Sequence, residues 1–259
     1  RESLYDESRL SALETRMAHY LSASAVSAKN LAEEKDAIKT LIGDISHQTK
    51  TPIANLLLYA QLLEEQDLPP ESREYVSALE HQAEKLRFLI DALVKTSRLE
   101  SGVLAMTPKR HGIQQLLDTA SAQAAPGAEA KAITLTVEPT DLTARFDPKW
   151  TAEALYNLVD NAVKYTPAGG AVTLRAVGYE LFCRVDVTDT GPGIPESEQA
   201  RIFQRFYRSP SASEAEGVGI GLYLARQIAA GQGGYLKVSS RPGEGSTFSL
   251  FLPRAEERT

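Results

Sequence analysis

The sequence predicts two domains of different class, an all-α helical hairpin entered through a long heptad-patterned helix and, after it, an α/β two-layer sandwich. Three observations predict this. Apolar residues recur every seven positions from Leu10, a helical period resumes beyond Pro69-Pro70, and short strand-like runs take over after Ser101-Gly102. A length of 259 residues suits two modest domains, since a single core rarely grows past about 250 residues.

In the first segment Leu10, Met17, Ser24, Leu31, Ile38 and Ile45 mark one seam, and Leu13, Tyr20, Ser27, Glu34 and Leu41 mark the other. This predicts a coiled-coil helix over residues 1–37. Its middle, Ser22 to Ala28, offers small or polar residues where large apolar ones would grip, so pairing is weak there and alternative registers are open. A plain dimerisation stalk and a signal-transmitting helix both fit.

Residues 38–101 read as the hairpin. The first helix continues through His47 to Leu63, breaks over Gln66 to Pro70, and is answered by Val76, Leu79, Ala83, Leu86, Ile90, Leu93 and Ser97 at three- and four-residue steps. Two helices with one apolar stripe each cannot enclose a core, so two copies are expected to pair into a dimeric four-helix bundle. Pro52 removes one backbone donor and is expected to kink the first helix just after His47.

A linker over 102–110 leads to the second domain, 111–253, with a short tail over 254–259. Strand-like runs at 132–138, 142–146, 171–177, 181–189, 235–240 and 247–252 alternate with helical runs near 113–124, 149–164 and 220–231. One sheet covered by helices accounts for that order. The stretch from Tyr207 to Glu216 is too polar to pack and reads as a mobile lid.

Composition removes several function classes. A net charge of −6 without a basic stripe argues against nucleic acid or anionic lipid as a partner. The single cysteine, Cys183, excludes an intrachain disulfide and a cysteine-cluster metal site, and its strand-like surroundings suit a buried, inert thiol. The longest apolar run, Ile53 to Leu63, is interrupted by Asn55 and Gln61 and falls short of the roughly 18 residues a membrane helix needs. A start at Arg1 without a signal-peptide pattern is expected of the soluble portion of something longer.

Four segments of the second domain carry chemistry. Asn157, Asn161 and Lys164 fall at i, i+4 and i+7 of one helix, so two amide oxygens and an ammonium share a face. That face suits a hard cation bound with a nucleotide, and equally an ordinary solvated surface. Asp189-Thr190-Gly191-Pro192-Gly193-Ile194 follows a strand and spends two glycines and a proline on one turn, which allows close backbone approach to a ligand and equally makes a simple turn. Asp189 can accept a hydrogen bond from an exocyclic amine such as that of adenine. Gly217, Gly219 and Gly221, followed by Leu222, open a helix whose free N–H groups suit phosphate, although a glycine pattern alone is weak evidence. Gly243 to Phe248, which includes Thr247, turns into the last strand.

In this order and spacing, together with Ile45-Ser46-His47-Gln48-Thr49-Lys50-Thr51-Pro52 and Ile202 to Arg208, the segments resemble the catalytic core of a sensor histidine kinase over roughly residues 38–253. The resemblance implies a dimerisation and phosphoacceptor domain and an ATP-binding domain of the type shared with gyrase, Hsp90 and MutL. It implies ATP and Mg²⁺ as cofactors, a homodimer, a response-regulator receiver domain as partner, and a cytoplasmic location within a membrane-anchored receptor.

By that resemblance Asp189 binds the adenine amine, Tyr165 packs on the ring, Asn161 with Asn157 holds Mg²⁺, and Lys164 and Arg208 meet phosphate oxygens. Gly191, Gly193, Ile194, Gly217, Gly219, Gly221, Leu222 and Thr247 complete the pocket, and Phe203 and Phe206 anchor the lid. His47 is the implied nucleophile, since the lone pair of a neutral imidazole nitrogen can attack phosphorus. His19, His81 and His111 are expected to be surface residues.

Gln48 departs from the family, in which many members carry Asp or Glu after the histidine. It can orient the ring but supplies no negative charge. Thr51, at i+4 from His47, is implied to position the water that hydrolyses a partner's aspartyl phosphate; it also reads as a helix residue before Pro52. A regulator would dock around Ala54, Asn55, Leu58 and Tyr59, residues that could instead be bundle core. A nucleotide-dependent scaffold and a phosphatase-dominant member are the competing readings.

Overall fold

The computed structural model describes the backbone of residues 2–100, 106–209 and 218–254, and their side chains apart from those of 2–13, 15, 35, 39 and 100. The chain divides into two compact units, Arg1–Ser101 and Gly102–Thr259.

The first unit is a helical hairpin. Helix α1 (Glu2–Glu64) runs through Pro52 as one helix, and α2 (Pro70–Glu100) begins on a proline, whose missing N–H costs nothing in the first turn. The connection falls where the sequence breaks, closed by Glu65 N donating to Gln61 O at 3.2 Å and Gln66 N to Leu63 O at 3.0 Å. Ile53, Leu57 and Ala83 form a core cluster with Ile90 packed against it. The seam residues Met17, Tyr20, Leu31, Ile38, Leu41 and Ile45 stay exposed, Met17 at 61%, as do Leu79 and Leu86 of the hairpin. Leu10 and Leu13 lie outside the described side chains. Among the described residues no helix is long and apolar enough to cross a membrane.

The second unit runs β1 (Lys109–Gly112), α3 (Ile113–Ala130), β2 (Thr134–Val137), β3 (Thr143–Phe146), α4 (Pro148–Tyr165), β4 (Ala171–Gly178), β5 (Phe182–Asp189), α5 (Glu196–Gln199), a 3₁₀ turn (Arg201–Phe203), α6 (Gly221–Gly231), β6 (Tyr235–Arg241) and β7 (Gly245–Pro253). Five strands form a sheet in the order β2-β4-β5-β7-β6, parallel only between β2 and β4; β1 and β3 pair separately. Cys183, Val185, Val187 and Asp189 alternate on one face of β5 with Ser246, Phe248, Leu250 and Leu252 beside them on β7, all buried. Helix α4 supplies the opposing layer through Ala154, Leu155, Leu158, Val159 and Ala162, each large aliphatic side chain contributing about 1.5–3 kcal/mol by burial. Burial pushes the Cys183 thiol up to about 11, so it is inert at neutral pH.

Two boundaries differ from the sequence pattern. Residues 109–110, placed in the linker, belong to β1, whose Lys-Arg-His-Gly composition carries no strand signal; pairing with β3 makes it a strand. Helix α3 passes Pro126 instead of stopping near residue 124, because Ala120, Ala124 and Ala128 continue one buried stripe.

Candidate functional site

Helix α4 is the fixed wall of the site. Asp147 caps it, accepting from Lys149 N at 3.1 Å and Trp150 N at 3.3 Å, and Pro148 opens its first turn. Asn157, Asn161 and Lys164 are half-buried along one flank, as the i, i+4, i+7 spacing requires. Asn157 commits its amide nitrogen to Glu153 O at 2.8 Å, which leaves its carbonyl oxygen as the outward acceptor. That oxygen faces the start of α6, since a Cβ at Gly221 would lie 2.8 Å from it. The Lys164 ammonium stands 5.7 Å from the centroid of the Tyr165 ring. Burial raises the Tyr165 phenol above its ordinary value, against the lowering pull of the nearby Arg208 guanidinium.

Asp189 ends β5 and is only 5% exposed. Its Oδ1 accepts from Gly191 N at 2.8 Å and from Ser246 N at 3.2 Å. Burial holds its carboxyl above the usual carboxylate value, partly offset by those two N–H groups. Both backbone donors converge on one oxygen, which leaves Oδ2 as an acceptor that a donor from outside the chain can reach, since it is not among the buried unpartnered atoms.

The loop after Asp189 is tied to the β6–β7 hairpin. Ile194 N donates to Ser240 Oγ at 2.8 Å, Gly243 N to Pro192 O at 2.7 Å, and Gln199 Nε2 to both Ile194 O and Ser240 O at 3.0 and 2.9 Å. Gly193, at φ +71°, has no room for a side chain, because its Cβ would fall 1.9 Å from Arg241 O.

On the other side the chain pinches together before α6. Phe206 N donates to Gly219 O at 2.9 Å, and Gly219 takes φ +73° against Tyr207 O. Leu222 is half-buried in the first turn of α6. Gly217 and residues 210–216 of the lid expected over 207–216 lie outside the described residues, whereas Tyr207, Arg208 and Ser209 are half-buried. The two phenylalanines separate: Phe203 is buried at 7% exposure with Arg226 over its ring, whereas Phe206 is 55% exposed at φ +59°, and most of the lid they were expected to anchor lies outside the described residues.

Thr247 requires correction. Register pairs Asp189 with Ser246 and Thr188 with Thr247, and the period of two sends Thr247 to the opposite face of the sheet, where its hydroxyl bonds Thr188 Oγ1 at 3.1 Å. The residue that reaches Asp189 is Ser246. Counting alternation outward from Asp189 could have found it, whereas Gln199 and Ser240 give no local signal.

Asn157, Asn161, Lys164, Tyr165, Asp189, Gly191, Gly193, Ile194, Arg208, Gly219, Gly221 and Leu222 all belong to the second unit. Amide oxygens, a buried carboxylate, cationic side chains and a helix N-terminus suit a ligand with a polar flat base and an anionic tail. Among the described residues no cluster of three His, Cys, Asp or Glu could hold a metal. The amide oxygens of Asn157 and Asn161 fit a hard cation that takes most of its ligands from phosphate and water.

The first unit holds the remaining candidates. His47, Gln48 and Thr51 are exposed on α1, with Ser46 buried behind them. Lys50 pairs with Asp91 of α2 at 2.8 Å, and Thr49 Oγ1 bonds Ile45 O at 2.6 Å. Ala54, Asn55, Leu58 and Tyr59 are exposed, so within one chain they are not core. His19 and His81 are exposed, whereas His111 is half-buried against Phe146, ring centroids 5.4 Å apart.

Two family descriptions match the chain: "His Kinase A (phospho-acceptor) domain" over residues 37–102, and "Histidine kinase-, DNA gyrase B-, and HSP90-like ATPase" over residues 146–256. Among curated proteins it is 34% identical over 230 residues to the sensor protein DivL of Caulobacter vibrioides, covering 88% of this chain and 29% of that protein. It is 31% identical over 242 residues to the sensor protein GacS of Pseudomonas syringae pv. syringae, covering 89% and 27%. The chain therefore spans under a third of either relative. A crystal structure of full-length ShkA in complex with AMPPNP superposes with a TM-score of 0.71 at 30% identity, over 84% of this chain and 46% of that one.

Proposed function

Because the chain belongs to the sensor histidine kinase family, whose phospho-acceptor and ATPase-like domains it carries, we propose that it binds Mg-ATP in the second unit, phosphorylates His47, and passes the phosphoryl group to an aspartate of a response-regulator receiver domain. The observation that carries the reading is the buried Asp189 carboxylate with one oxygen left free beside two glycines.

In this reading Asp189 Oδ2 accepts from the adenine amine and Tyr165 packs on the ring. Asn161 with Asn157 holds Mg²⁺, which screens the charge of the phosphates when bound. Lys164, Arg208 and the N–H groups opening α6 at Gly219 to Leu222 take phosphate oxygens, where phosphoryl transfer draws most of its stabilisation. A ring nitrogen of His47 forms a bond to the γ-phosphorus as the bond to the bridging oxygen breaks. ADP leaves with that electron pair, and the ring loses its other N–H proton. A receiver carboxylate then attacks the same phosphorus, and the N–P bond returns its electrons to the ring, which takes back one proton from water to restore the neutral imidazole.

Two copies pair through the exposed seam of α1 and the outward Leu79 and Leu86 of the hairpin, which a single chain leaves in water. The exposed Ala54, Asn55, Leu58 and Tyr59 below His47 form the receiver's contact surface. Thr51 positions water for the reverse hydrolysis of the receiver's phosphate. The setting is a membrane-anchored receptor with this portion in the cytoplasm. The test is a chase: protein labelled from γ-labelled ATP is mixed with single receiver domains. Label is expected to leave the chain for an aspartate of at least one receiver within minutes. Tight ATP binding with no label on chain or receiver would favour the scaffold reading.

Gln48 sets the rate. Its amide can orient the His47 ring but cannot favour the positive charge that develops as the N–P bond forms. Gln48→Glu is expected to raise the initial rate of self-phosphorylation about tenfold, measured at saturating Mg-ATP. A folded variant no faster than wild type contradicts the charge argument.

A further inference from the structure

We propose that Lys131 is a positioning residue for the nucleotide site, acting through the C-terminus of α4; the inference rests on the ATP reading above. Its ammonium donates to Val163 O at 2.9 Å, Lys164 O at 2.8 Å and Thr166 O at 2.7 Å. A helix end leaves its last carbonyls without intrahelical donors and carries partial negative charge. Here one cation from a different helix satisfies three of them. The carbonyl of Ala162 is taken by Thr166, through both its N–H at 3.0 Å and its hydroxyl at 2.6 Å.

The remaining carbonyl in that turn, of Tyr165, faces the nucleotide loop. A Cβ at Gly191 would lie 3.2 Å from Tyr165 O and 2.8 Å from Asp189 Oδ1. Lys131 thus fixes the turn that bears Lys164 and Tyr165 and backs the loop whose N–H holds Asp189. Gly169 N returns to Lys131 O at 3.0 Å, closing the connection between α4 and β4 on the same residue.

The way Lys131 is presented is a second, independent observation. It caps α3 in a turn where Ile133 N bonds Ala128 O at 2.8 Å and Ala132 N bonds Glu129 O at 3.0 Å. That turn needs a left-handed residue, and the chain places Ala132 there at φ +52°. At the end of α6 the matching turn uses Gly233, at φ +78°, with Gly234 N on Ala229 O. A non-glycine residue is strained in this conformation, because its Cβ crowds the following carbonyl. The bonds made by Lys131 hold the strained turn in place.

The test compares wild type with Lys131→Met, which keeps length and loses the donor, and Lys131→Arg, which keeps the charge. The Kd of Mg-ATP is measured by calorimetry, and initial self-phosphorylation rates give KM and kcat. A site loosened at its back wall is expected to raise Kd and KM about tenfold, with kcat at saturating ATP within twofold and Lys131→Arg restoring most of the loss. Emission from the single, buried Trp150 reports that the fold is intact. If Lys131→Met loses that buried emission, Lys131→Gln is read in the same titration against the same outcomes. Wild-type Kd in a folded variant without the charge overturns the inference alone, as does a fall in kcat with KM unchanged. A wild type that binds no nucleotide overturns it together with the ATP reading.

Discussion

Asp189→Asn is expected to weaken ATP binding at least about a hundredfold while leaving the fold intact, because it reverses a hydrogen bond without changing shape. In the wild type Oδ1 is held by Gly191 N and Ser246 N. Asparagine meets those two donors only by placing its carbonyl oxygen there, which turns its NH₂ toward the position of Oδ2. A donor then faces the adenine amine. The alternative flip opposes NH₂ to two backbone N–H groups in a buried site. Calorimetry with Mg-ATP checks the affinity, and unfolding of the apo-protein checks the fold; near-wild-type affinity means that Asp189 does not contact the base.

The same carboxyl gives a pH dependence with a definite sign. Burial raises its pKa in the folded state, so the fold binds that proton more tightly than the unfolded chain does. Acidification therefore favours the apo fold at this position while removing the acceptor that the base needs. ATP affinity is expected to fall on acidification from a pH above the ordinary carboxylate range, and Asp189→Asn is expected to lack that component.

His47→Gln has the opposite signature: no stable label from γ-labelled ATP, and an unchanged Kd for the nucleotide. The imidazole is exposed on α1, so its replacement leaves no unpaired buried group and no cavity. The nucleotide residues lie in the other unit, with its own core. A variant that loses both label and affinity would place His47 in binding instead of chemistry. Taken together, the two substitutions separate nucleotide recognition from phosphoryl acceptance.

The residues show why part of this site is legible in sequence and part is not. Asn157, Asn161 and Lys164 declare themselves because helical periodicity converts spacing into a shared face. Asp189 is legible only in combination: a strand end followed by Thr-Gly-Pro-Gly reads alone as a simple turn, and its order and spacing with the other three segments single it out. Thr247 misleads because strand alternation depends on register, and a shift of one residue exchanges the faces. Lys131 is invisible for a related reason. Its three acceptors lie 32 to 35 positions away, and a lysine near a helix end reads as solvated surface until the partner helix is in place.

The hairpin follows the same division. The Pro69-Pro70 break and the stripe from Val76 to Ile90 predict α1 and α2 because both signals are local. Strand β1 escapes notice because only its pairing with β3 makes it a strand.

The central claim is that a ring nitrogen of His47 receives the γ-phosphoryl group. Its most direct test is to label the wild-type protein from γ-labelled ATP with Mg²⁺, follow the stability of the label, and map it by peptide. The account predicts one labelled position, His47, with a phosphoryl bond that survives alkali and is lost in acid. An acid-stable label on serine or threonine, or full labelling in His47→Gln, would contradict it.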